Sequence, residues 1–98
     1  MKENLEEKII NRLEAADIYE NLAEECAELA QACSKMSRYL RGTNPTNNTG
    51  AEIYKRLIEE WSDVTLIADR VLKLKTDAMM MERKLQRWNS RLDERKSR

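Results

Sequence analysis

The chain has 98 residues, 18 Lys+Arg against 18 Asp+Glu, and no histidine, so its formal net charge is zero. A length of one small domain, without histidine and with only two cysteines, excludes a His general base, a Ser-His or Cys-His dyad, a zinc finger and a disulfide scaffold. Carboxylates, Lys and Arg remain, an inventory suited to a hard cation and a phosphate. Two glycines, one proline and 37% charged residues predict a nearly all-helical chain, and so narrow an apolar content predicts that part of the core lies between subunits. No apolar run reaches the roughly 18 residues of a membrane span, and no signal peptide opens the chain, so the expected location is cytoplasmic and no membrane partner is expected.

The first predicted element runs from about Asn4 to Leu40. Leu5, Ile9, Leu13 and Ala16 recur at helical spacing, as do Leu22, Cys26, Leu29, Cys33, Met36 and Leu40. Asn21 with Glu24 resembles a capping box and predicts a break or bend near 17–21. Residues 42–50 hold both glycines and the proline and predict a loop, and Thr49 with Glu52 fits a capping box for the next helix, expected to reach about Lys75. Thr76 or Asp77 can cap a last helix from Ala78 to about Asp93, with a stripe of Ala78, Met81, Leu85, Trp88 and Leu92 suited to bundle packing and a frayed tail over 93–98. The expected fold is therefore an all-α bundle of three to four main helices in one domain, 1–98.

Charge is unevenly spread along these elements. Residues 1–30 carry three basic and nine acidic side chains, and residues 70–98 carry ten basic and four acidic. Such a gradient suits pairing of acidic and basic helices, or a cation site facing an anionic ligand.

Within the acidic part an internal echo appears. Leu22-Ala-Glu-Glu-Cys-Ala-Glu-Leu29 and Leu57-Ile-Glu-Glu-Trp-Ser-Asp-Val64 share Leu-x-Glu-Glu-x-x-acid-aliphatic, 35 residues apart. At about 100° per residue, Glu25 lies about 60° from the stripe of Leu22, Cys26, Leu29, Cys33 and Leu40, Glu28 about 120°, and Glu24 about 160°. Glu24 and Glu59 thus point to solvent, while Glu25, Glu28, Glu60 and Asp63 converge if the helices pack antiparallel. Four carboxylates at a half-buried seam repel one another unless a cation such as Mg²⁺ compensates. Lys84, Arg87 and Arg91 share one face of the last helix, and Lys35 lies two turns after Glu28; all four are candidate phosphate ligands.

Glu24-Glu25-x-x-Glu28 followed by Glu60-x-x-Asp63, with Lys35, Arg41-Gly-x-Asn-Pro-Thr46 and Lys84-x-x-Arg87-Trp-x-x-Arg91, resembles the MazG-like nucleoside triphosphate pyrophosphohydrolases over about residues 19–92. The resemblance implies an all-α bundle assembling as a homodimer or homotetramer. It also implies Mg²⁺, or Mn²⁺ in its place, held by Glu25, Glu28, Glu60 and Asp63, and cleavage of a nucleoside triphosphate between the α- and β-phosphates. Glu24 or Glu28 is the candidate proton acceptor from the attacking water. The rival readings are a non-catalytic helical scaffold or partner-binding module, and a nucleic-acid binder; the acidic first third and the missing aromatic platform oppose the second. Cys26 and Cys33 are expected as buried, reduced thiols, Trp61 and Trp88 as core packing, and Met79–Met81 as packing filler.

Overall fold

The computed structural model describes residues 4–43 and 47–96. Helix α1 spans Leu5–Arg12, α2 Ala15–Leu40, α3 Gly50–Thr65 and α4 Ala78–Lys96, and α3 runs on into a π-helical turn, Leu66–Val71. No strand occurs among the described residues. Asn44, Pro45 and Thr46 of the predicted loop and residues 97–98 of the predicted tail lie outside them.

The ends of the helices follow from local chemistry. Asn4 Oδ1 accepts the Glu7 N–H at 3.0 Å, Thr49 Oγ1 the Glu52 N–H at 3.2 Å, and Asp77 Oδ1 the Met80 N–H at 3.0 Å. Each satisfies a first-turn donor that the helix itself cannot. Asp77, rather than Thr76, is therefore the cap of α4. The Glu52 carboxylate does not complete the box but accepts from Asn48 Nδ2 at 3.0 Å. At the end of α2 the Thr43 N–H reaches the Arg38 carbonyl and the Gly42 N–H the Tyr39 carbonyl, with Gly42 at φ 76°: a Schellman ending on the residue that tolerates it. The π-helical turn ends on the same principle without glycine. Lys73 takes φ 56° and Leu74 N–H bonds the Ala68 carbonyl, so the helix expected to reach Lys75 ends at Val71, with Leu72 as its cap.

Three sequence expectations are corrected here. The break falls at Leu13 and Glu14, both extended, and Asn21 and Glu24 sit inside α2. This break frees α1 to pack on the π-helical turn, where Arg70 pairs with Glu6. Second, α4 continues through Asp93 to Lys96 instead of fraying at 93. Third, the packed face of α2 is Ile18, Leu22, Glu25, Leu29, Ala32 and Met36, rotated by about 50° from the predicted stripe. Cys26 and Cys33 are consequently exposed thiols.

α2 and α3 form an antiparallel hairpin, as the pairings of Lys35 with Asn48 near the loop and of Glu25 with Glu60 farther away require. Ile18, Ala32, Ile53, Val64 and Val71 form the small buried core. Tyr39 lies over Gly50, where a Cβ would stand 2.7 Å from its hydroxyl. By contrast every residue of α4 is exposed, including Met81, Leu85, Trp88 and Leu92, so its stripe is covered by nothing among the described residues. The radius of gyration is 18.0 Å, against about 13 Å for a compact chain of this length. The accessible surface is 8667 Å², against about 5,800 Å² expected at this mass.

Candidate metal centre

The echoed motifs lie on the two helices of the hairpin, and antiparallel packing sets them side by side. Equivalent positions then play equivalent parts. Glu25 and Glu60 follow Leu22 and Leu57 by three residues and turn inward; Glu28 and Asp63 follow by six and stay exposed at the rim. One carboxylate oxygen from each of the four lies within 4.8 Å of the others.

Glu60 is the buried member, with 4% of its side chain exposed. Its Oε1 accepts from Arg56 Nη2 at 2.8 Å, while its Oε2 is buried and has no partner among the described residues. Glu25 Oε2 is buried and unpaired in the same way. Burial pushes the Glu60 carboxyl above the usual carboxylate range, and the Glu28 and Asp63 carboxylates push it further, while Arg56 pulls it back. Unpaired buried carboxylate oxygens facing other carboxylates are costly to the fold. The four carboxylates could hold a metal ion, and a divalent cation with oxygen ligands would compensate their charge.

The cations around this cluster differ from those expected. Lys35 does stand beside it, lining a hollow of about 240 Å³ with Glu28, Gln31, Ala32 and Arg56, and bonds Asn48 Oδ1 at 3.1 Å. Lys84, Arg87 and Arg91 do not. They sit on α4, which does not pack on the hairpin. Arg56 takes the place beside the carboxylates. Sequence reasoning passed it over because an Arg four residues before a Glu reads as an ordinary surface pair; the signal was that this Glu belongs to the echoed motif. Glu24 is exposed and outside the cluster, on the turn before Glu28. Trp61 is 55% and Trp88 65% exposed, and Met79, Met80 and Met81 are exposed too, so none of these five is core. In the sequence Trp61 adjoins the inward Glu60, yet the helix turns it away from α2.

Compared with protein-family models, curated proteins and solved structures, the chain matches none. No helix among the described residues is long and apolar enough to cross a membrane.

Proposed function

We propose that the chain is a Mg²⁺-dependent nucleoside triphosphate pyrophosphohydrolase of the MazG-like kind, producing a nucleoside monophosphate and pyrophosphate. One observation supports this reading above the others: two copies of one acidic motif bring four carboxylates within reach of a single ion, with Glu60 Oε2 buried and unpaired. Glu25, Glu28, Glu60 and Asp63 would hold Mg²⁺ or Mn²⁺, which supplies charge neutralisation for the phosphoryl oxygens and acidifies water. Lys35 and Arg56 hold and orient the phosphates at the rim. Glu28, or Glu24 one turn away, accepts the proton of the attacking water.

The working form in this proposal is a homodimer or homotetramer. The chain exposes about 2,800 Å² more than a compact chain of its mass, well above the roughly 800 Å² per partner of a standard interface.

The test is incubation with Mg²⁺ and a panel of canonical and modified nucleoside triphosphates, with products separated by anion exchange. Monophosphate and pyrophosphate in equal amounts are expected. Diphosphate and inorganic phosphate would place cleavage elsewhere and overturn the assignment. The scaffold reading has one observation in its favour, the uncovered stripe of α4, and requires no turnover and no cation binding together with a stable complex.

A further inference from the structure

Arg56 links two features of the site that otherwise look separate. It lies one turn before Glu60 on α3, with Nη2 2.8 Å from Glu60 Oε1 and Nη1 3.8 Å from Glu59 Oε2. Its side chain is 65% exposed and that of Glu60 4%, so a solvated cation on a long, flexible stem compensates a fixed, buried anion. The same guanidinium borders two adjoining hollows. One, about 250 Å³, is lined by Ala32, Lys35, Asn48, Glu52, Ile53 and Arg56. There the Glu52 carboxylate repels an anion. The other, about 240 Å³, has the same two cations, Lys35 and Arg56, and differs in having Glu28 of the acidic cluster at its edge in place of Glu52. A ligand anion in this second hollow would have both cations among its walls and would lie beside any ion on the carboxylates, since Glu28 belongs to both.

We propose that Arg56 is an exchangeable counter-ion: without a divalent cation it neutralises Glu60, and when a cation takes that carboxylate the guanidinium is released to hold, with Lys35, the phosphate oxygens of a ligand in the hollow beside Glu28. The inference rests on the cluster of Glu25, Glu28, Glu60 and Asp63 being a cation site. Its physical basis is competition. The guanidinium and the cation seek the same carboxylate, and their charges repel at this range. A phosphate relieves that repulsion and offers two oxygens for the bidentate pairing that a planar guanidinium prefers. Cation and anion therefore bind with positive coupling, and the coupling is reciprocal.

Substituting Arg56 should then have opposite effects on the two ligands. Isothermal titration of Arg56→Gln with MgCl₂ alone should show cation binding about fivefold tighter than wild type, the scale of one unit charge removed at ion-pair distance in a solvated setting. Titration with inorganic pyrophosphate at fixed, saturating free Mg²⁺ should show binding at least about tenfold weaker, as loss of a charged phosphate partner implies. Arg56→Lys keeps the charge without the fork and should restore wild-type Mg²⁺ affinity while recovering only part of the pyrophosphate affinity. Equal or weaker Mg²⁺ binding by Arg56→Gln, in a variant with unchanged circular dichroism, would overturn the exchange. Wild-type protein that binds no Mg²⁺ would instead overturn the cation reading beneath it.

Discussion

The two sides of the α2–α3 hairpin differ in chemical character. On one side stand Glu28 and Lys35 of α2 with Arg56 and Asp63 of α3. On the other, at about 100° per residue, stand Tyr19, Cys26 and Cys33 of α2 with Tyr54, Ile58 and Trp61 of α3, all exposed and none charged. In a chain with 37% charged residues, such a side is unusual. One helix pair thus serves two purposes through rotation alone. The buried seam between its helices is narrow, so each flank is free to specialise: one in charge, the other in apolar contact, the kind of surface a second copy would cover.

Substitutions at the seam and its rim should be the most damaging. Glu60→Gln and Asp63→Asn are expected to lower turnover by about 100-fold or more with any substrate the panel identifies, because in the proposed mechanism each supplies a charged ligand to the metal ion. Retained turnover in both would remove the carboxylates from the mechanism. On the opposite side, in the proposed oligomer, Trp61→Lys should shift the equilibrium toward monomer in size-exclusion chromatography with light scattering. The dissociation constant should rise by about 30-fold or more, typical of a buried interfacial tryptophan. Mg²⁺ binding should survive, since Trp61 faces away from the carboxylates; its loss would show that the two sides are not independent.

A third expectation concerns pH. The Glu60 carboxyl is raised above its ordinary 4.5, so the folded chain binds a proton that the unfolded chain has released, and stability falls as pH rises through that interval. Without divalent cations, Glu60→Gln should therefore raise the Tm at neutral pH, and the gain should disappear as pH falls to about 4.5. Added Mg²⁺ should stabilise wild type and leave the variant unmoved. A Tm difference independent of pH would contradict the burial of this charge. A milder change, confined to stability, is expected at Lys73. Its φ of 56° disfavours any residue but glycine, so Lys73→Gly should stabilise by about 1 kcal/mol, read from urea denaturation, and leave both sides of the hairpin intact.

Much of this was legible in the residues, for identifiable reasons. Thr49 announced the start of α3, and the pair Thr76 and Asp77 that of α4, because a cap is a local bond between neighbours; the structure selects Asp77. The four carboxylates stood out because a motif repeated in one chain is improbable by composition alone. The rotation of α2 was not legible. Small residues such as Ala32, and the carboxylate Glu25, occupy its packed face, while Cys26 and Cys33 mimic core at the same spacing. Periodicity leaves the stripe open by about 50°, about half of one residue's rotation, and only the partner helix selects among the candidates. The idle stripe of α4 has the same cause: Met81, Leu85, Trp88 and Leu92 repeat as a packing face should, yet no periodicity names the surface that receives them.

The echoed motif makes the carboxylate cluster nearly symmetric within one chain, because equivalent residues on antiparallel helices are related by an approximate two-fold axis. Its two halves are then interchangeable in principle: the rim pair Glu28 and Asp63 can trade identities without altering the total charge or the number of oxygens offered. A single helix bearing one copy of the motif would already hold half of such a centre, and two such helices meeting head to tail would complete it. One asymmetry remains. Arg56 stands four residues before Glu60 on α3, and the equivalent position on α2, four residues before Glu25, is the uncharged Asn21. In the proposed site, that difference in charge would give the centre a direction from which an anionic ligand approaches.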